Sequence, residues 1–131
     1  MNLSQSLEDC LEAIYMEVNG KGVRVNKLAE HLGIKPSSVN QTIKKLKEDG
    51  LVFHEKYGKV ELTEEGEKEA IKVFKRHKAL EKFLREILKV GELQASKEAC
   101  MMEHGLSTET QKKLTKFVEE FGGNTSDDGK N

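Results

Sequence analysis

Tryptophan is absent from this chain of 131 residues, aromatic residues make up 5% of it, and it has one proline and two cysteines. So few aromatics beside 34% charged residues favour a helical chain with long solvated faces. Two cysteines, Cys10 and Cys100, are too few for the disulfide framework of a small secreted domain. No apolar run reaches membrane-spanning length, and no basic-plus-apolar leader opens the chain. The expectation is a cytoplasmic protein with reduced thiols and no membrane partner. The length suits one domain or two small subdomains and can bury a core without cross-links. No internal repeat is visible.

The net charge of -1 conceals an asymmetry. Residues 1–19 carry four acids (Glu8, Asp9, Glu12 and Glu17) and no lysine or arginine, whereas residues 20–60 carry nine basic side chains against four acidic ones. A basic middle between acidic ends suits one surface that meets a polyanion and another that meets cations. Solvated helix faces of mixed sign account for the charge alone equally well.

Hydrophobic spacing supplies the elements. Leu7, Cys10, Leu11, Ile14, Tyr15 and Val18 recur at steps of three and four, which predicts a helix over 4–18 that NGKG (19–22) breaks. VRV (23–25) reads as a very short strand. NKLAEHLG (26–33) reads as a short helix capped by Asn26 and ended by Gly33. After Pro36 a second helix runs towards Gly50, with Ser37 as its N-cap and Val39, Ile43 and Leu46 as its apolar stripe. In LVFHEKYGKVELT (51–63) the period changes to two around Gly58, a hairpin signal. TEEG (63–66) opens a long helix with acids in its first turn; it carries Ala70, Val73, Phe74, His77, Leu80, Leu84, Ile87 and Leu88 and closes at Gly91. A helix over roughly 92–104 follows, then one capped by Ser107 with Leu114, Phe117, Val118 and Phe121 on its apolar side. From Gly122 nothing apolar remains, and residues 122–131 are expected to be disordered.

Two short helices, a tight connection and a hairpin make the pattern of a winged helix-turn-helix. The expected architecture is therefore mainly α, with this unit and its small β-hairpin wing over residues 1–63 and a helical domain over 64–121. The second helix of the pair would enter the major groove by its first turns, where Ser37, Ser38, Asn40, Gln41 and Lys44 lie. Asn and Gln can pair in bidentate fashion with adenine, and the hydroxyls can serve bases or phosphate. Lys27, Lys44, Lys45 and Lys47 supply charge for phosphates, and Lys56 and Lys59 sit on the wing. Ser37 taken singly is as good a cap as a contact. The constellation as a whole favours a reader of double-stranded DNA.

CMMEH (100–104) adds a second chemistry. Cys100, Glu103 and His104 stand at i, i+3 and i+4 and so share a helix face. By themselves they are an ordinary half-buried cysteine and a surface pair. Asp9 and Glu12 are i, i+3 on the acidic first helix, and His77 and Glu81 are i, i+4 on the long one. Three helices thus each offer ligand-type side chains near an apolar seam, which suits a shared metal site. Thiolate, imidazole and carboxylate together fit Fe(II), Co, Ni or Zn, and Mn(II) if the oxygens dominate. Cys10, on the apolar stripe, reads as core.

At these residues the chain resembles the DtxR/MntR family of metal-dependent transcriptional repressors. The resemblance is carried by EDCLEAIY (8–15), LAEHLGIKPSSVNQTIKKLKEDGLV (28–52), EKYGKVELTEEG (55–66), RHKALEKFL (76–84) and EACMMEHGLS (98–107), in family order and spacing. It covers nearly all of residues 4–121. It implies a homodimer in which a winged helix-turn-helix is joined to a helical dimerisation part. Metal then fixes two recognition helices at the spacing of a palindromic operator. By position, Asp9, Glu12, His77, Cys100, Glu103 and His104 match the family's main metal ligands, and Glu81 matches an ancillary ligand of the iron-responsive branch. Asn40 and Gln41 fall where the family touches the groove. Asp9 is as in the manganese branch and Cys100 as in the iron branch, so the ligand set is a hybrid. Ser96 stands where the iron branch has an ancillary histidine, and no SH3-like third domain follows.

The functional expectation is a metal-dependent DNA-binding regulator, a repressor of metal-uptake genes. The thiolate of Cys100 tips the metal towards Fe(II) over Mn(II). The alternative is a metal-independent winged-helix regulator with a vestigial site. No Gly-rich substrate loop and no second catalytic cluster are present, so neither an enzyme nor a small-molecule substrate is expected.

Overall fold

Apolar residues at steps of three and four fold as six helices among the described residues of the computed structural model: α1 (Gln5–Glu17), α2 (Val25–Leu32), α3 (Pro36–Glu48), α4 (Glu64–Lys82), α5 (Glu92–Gly105) and α6 (Thr108–Gly129). Two strands, β1 (Val52–His54) and β2 (Val60–Leu62), pair antiparallel between α3 and α4. The structure describes residues 3–17, 22–55 and 58–129, with side chains through residue 121. Among these, no helix is long and apolar enough to cross a membrane. The chain divides into two compact units, Met1–Val73 and Phe74–Asn131. The sequence motifs suggest a border at 63/64, but the first part of α4 groups with the N-terminal unit because Ala70 lies in that unit's core.

In the first unit, the faces of α1, α2 and α3 converge on one core. Cys10, Leu11, Ile14, Leu28, Val39, Ile43, Leu46, Leu51 and Val60 are all essentially without exposure. Each large aliphatic side chain buried there contributes about 1.5–3 kcal/mol. Glu17 accepts from Nδ1 of His31 at 2.9 Å, tying the last turn of α1 to α2. α2 ends at Gly33, whose φ of 68° is the left-handed conformation that lets the Ile34 N–H reach the Ala29 carbonyl. In the hairpin, Val52 faces Leu62, Phe53 faces Glu61 and His54 faces Val60. Alternation turns Val52 and Val60 inward and leaves Phe53 exposed. Thr63 then welds the hairpin to α4. Its hydroxyl donates to the Gly50 carbonyl at 2.7 Å and accepts from the Gly66 N–H at 2.9 Å.

In the second unit, Leu80, Leu84, Ala95 and Ala99 form the core, with Phe83, Val90, Met102, Leu106 and Leu114 packed against it. The helical run from α4 neither stays α to its end nor closes at Gly91 as expected: Phe83–Ile87 is a π-helical turn capped by Leu88, and Gly91 is the extended N-cap of α5. The Leu88 N–H reaches the Phe83 carbonyl at 3.1 Å. Ser107 caps α6 as expected, accepting from the Thr110 N–H at 3.1 Å. Phe117 and Phe121 stack along α6.

Four other local expectations are corrected. Asn26 lies inside α2, whose N-cap is the extended Arg24 with no side-chain cap bond. Ser37 likewise lies inside α3, because Pro36 takes the first helical position and Lys35 the cap. VRV forms no strand; Val23 makes a single bridge to Val60. α6 continues to Gly129, through most of the stretch expected to be disordered, since extending a formed helix costs less than starting one. Lys56 lies outside the described residues.

Candidate metal centre and nucleic-acid interface

The first unit offers its two carboxylates from one helix. Asp9 and Glu12 are half-buried on α1, on either side of the buried Cys10 and Leu11. Cys10 itself is core. Burial, with the Asp9 charge second, pushes its thiol up to about 12. At pH 8 the thiol therefore stays protonated. Iodoacetamide is therefore expected to leave Cys10 intact in the folded chain while the half-buried Cys100 is modified. Peptide mass mapping reads this directly, and equal labelling of both would show that α1 does not hold its packed position.

The second unit brings four donors together as two pairs. Cys100 and His104, one turn apart on α5, place their ligand atoms within 4.8 Å of each other, and so do His77 of α4 and Glu103 of α5. His77 Nδ1 lies 3.4 Å from Glu103 Oε1, and the side chains are 15% and 2% exposed. The other oxygen of Glu103 accepts from Arg76 at 3.0 Å. The backbone carbonyl of Glu103 accepts from the buried Gln111 amide, which anchors α6 on α5 at the donor positions. A carboxylate this enclosed is costly to bury without a cationic partner. One thiol, two imidazoles and one carboxylate fit a divalent transition metal in type. Glu81 stands apart: it is buried, its Oε1 is 3.3 Å from Lys78 Nζ, and it joins no donor group among the described residues.

On the first unit, α3 turns Val39, Ile43 and Leu46 inward and leaves Ser37, Ser38, Asn40, Gln41, Lys44 and Lys45 exposed. Lys27 on α2 and Lys59 in the hairpin are exposed as well. Lys47 Nζ donates to the His54 carbonyl at 3.0 Å and so braces the hairpin against α3. Sequence reasoning missed part of this surface. Arg24, Asn26, Pro36, Asn40, His54 and Gly58 line one open cleft of about 420 Å³. Arg24, an exposed charge between Val23 and Val25, was the signal that could have added it.

Two family models match successive parts of the chain. The family model "Iron dependent repressor, N-terminal DNA binding domain" matches residues 2–60, and "Iron dependent repressor, metal binding and dimerisation domain" matches residues 63–127. An uncharacterised helix-turn-helix transcriptional regulator of Methanocaldococcus jannaschii is 44% identical over 121 residues, which is 91% of this chain and 97% of the relative. The transcriptional regulator MntR of Lysinibacillus sphaericus is 37% identical over 87% of this chain and 82% of its own. A solved manganese-dependent transcriptional repressor in complex with manganese matches with a TM-score of 0.76 at 31% identity. That match covers 86% of this chain and 52% of the longer one. The chain belongs to the iron-dependent repressor family, the DtxR/MntR family of metal-dependent transcriptional repressors.

Proposed function

We propose that this repressor is switched on for operator binding by Fe(II) or Mn(II), held jointly by Asp9 and Glu12 of α1 and by His77, Cys100, Glu103 and His104. The observation that carries the reading is the paired arrangement of the last four, with Glu103 buried between an arginine and a histidine. The bound ion supplies positive charge that offsets the carboxylates. Without that charge nothing ties the α1 carboxylates to the other donors, so the first unit, with α1 packed in its own core, is held in no single orientation. With it, α1 is pinned, and α2 and α3, which follow α1 directly, keep one orientation. By linkage, DNA tightens metal binding as much as metal tightens DNA binding. Cys100 favours Fe(II), a softer choice than the manganese of the solved relative. Glu81, held by Lys78, serves as an ancillary ligand at most.

The protein acts in the cytoplasm as a homodimer on a palindromic operator, controlling metal-uptake genes. The exposed Leu88, Leu93 and Met101 of the second unit give a pairing surface to cover. On DNA, Asn40 and Gln41 read base edges, Ser37 and Ser38 serve bases or phosphate, and Lys27, Lys44, Lys45 and the wing's Lys56 hold the backbone. Site selection from a random duplex pool by the Mn(II)-loaded chain is expected to return an inverted repeat. Return of a lone half-site would contradict the dimeric reading. Lys44→Ala is expected to weaken binding to all sequences alike and to lower the slope of log Kd against log salt by about 1. Gln41→Ala is expected to cost about 1–3 kcal/mol at one base position and to relax specificity there.

A further inference from the structure

Glu103 is already in contact with a cation in the chain itself. Its Oε2 accepts from Nε of Arg76 at 3.3 Å and from a terminal guanidinium nitrogen at 3.0 Å. Its Oε1 faces His77 Nδ1 at 3.4 Å. Arg76 and His77 are neighbours on α4, and Glu103 sits on α5, 27 residues beyond Arg76. The carboxylate is 2% exposed and the arginine 25%. Arg76 is one of only three arginines among the chain's 22 lysines and arginines. A lysine would offer one rotating ammonium, whereas the planar guanidinium presents two donors to the same oxygen and never loses its charge.

We infer that Arg76 sets the metal affinity of this centre: it satisfies Glu103 when metal is absent and opposes the divalent ion when metal arrives. The inference rests on the reading of Glu103 and His77 as ligands. Two effects of one charge are involved, and they act in opposite directions. A carboxylate buried without a partner destabilises the fold, so Arg76 stabilises the metal-free second unit. The same fixed charge stands beside the site that must accept two more positive charges. Over a partly enclosed path their repulsion is screened far less than at a surface. The guanidinium cannot deprotonate to relieve it. A sensor needs this compromise, since a centre that held its ion too tightly would not report a fall in free metal.

The test compares the full chain with Arg76→Gln, Arg76→Lys and Glu103→Gln. Mn(II) affinity is measured by competition with a fluorescent chelator, and thermal stability with and without metal. Arg76→Gln is expected to lower the melting temperature of the metal-free protein yet bind Mn(II) about tenfold more tightly, because the repulsion is gone. A merely structural role would lower both together. Arg76→Lys keeps the charge and is expected to stay within about threefold of the parent affinity. If metal-free Arg76→Gln is unfolded, saturating Mn(II) is expected to fold it by replacing the missing cation. Equal or weaker Mn(II) binding by Arg76→Gln overturns the inference, as does a lysine variant that binds as tightly as the glutamine one. So does a variant that stays unfolded with Mn(II). Glu103→Gln separates the two claims: if it binds Mn(II) like the parent, the ligand reading fails and the inference goes with it.

Discussion

Glu103→Gln is expected to reduce metal affinity by about 100-fold or more, and metal-dependent DNA binding should be lost with it. The size follows from what the carboxylate does. It is 2% exposed, it presents one oxygen to Arg76 and the other to His77, and its ligand oxygen lies within 4.8 Å of the His77 ring nitrogen. The amide is nearly the same shape but carries no charge, so packing is kept while the attraction for a divalent ion is lost. Removing even an outer partner of a metal ligand typically costs 10–100-fold in affinity, and a ligand itself costs no less. The substitution also leaves Arg76 facing a neutral group. Because Arg76 keeps a quarter of its exposure, the stability cost should be about 1–3 kcal/mol, less than the loss for a fully buried pair. Calorimetric titration with Mn(II) and a urea melt of the metal-free protein measure the two effects separately. Unchanged metal affinity would remove Glu103 from the centre.

Gly66→Ala should disrupt the first unit more than alanine at any other described glycine. A Cβ at residue 66 would lie 1.8 Å from the Leu51 carbonyl oxygen and 2.8 Å from its carbon. Those are backbone atoms and cannot swing aside. The Leu51 carbonyl also accepts from the Thr63 N–H at 3.0 Å, and the Thr63 hydroxyl bridges Gly50 and Gly66. The start of α4 is thus fixed to the end of α3 at the point where the methyl would intrude. Helix propensity alone predicts the opposite sign, a gain of about 1 kcal/mol for alanine over glycine. The clash outweighs it, and a net loss of about 2–4 kcal/mol is expected, in the range of severe overpacking. Gly91→Ala, where nothing lies within 4 Å, is the control and should stay within about 1 kcal/mol. Urea midpoints at constant slope test this. A Gly66→Ala protein as stable as the parent would mean that the α3–α4 junction is looser than described.

The sequence was most legible where one periodic face meets one core. The stripe of Leu11 and Ile14, the triplet Val39, Ile43 and Leu46, and the switch to a period of two around Gly58 all name their elements correctly. Gly33 ends α2 for the reason its position suggests. The failures are local and share a cause. Asn26 and Ser37 look like caps, but the chain reaches each helix through an extended residue, Arg24 or Lys35, that makes no side-chain cap bond. Composition does not distinguish a cap from the residue just inside it. The π-helical turn at Phe83–Ile87 leaves no mark in hydrophobic spacing over so few residues. The candidate donors could be picked out by type and spacing alone. The contact between Arg76 and Glu103 was not, because nothing local links two side chains on separate helices.

In the proposed reading a divalent metal gates DNA binding. The most direct test is fluorescence anisotropy of a palindromic operator duplex titrated with the protein at one fixed salt concentration. Anaerobic Fe(II), Mn(II), Zn(II) and EDTA would be compared. Fe(II) or Mn(II) is expected to tighten binding, with EDTA restoring the weak state and the ranking favouring Fe(II). Equal affinity under all four conditions would contradict the account and leave a winged-helix regulator whose donor cluster is not its switch.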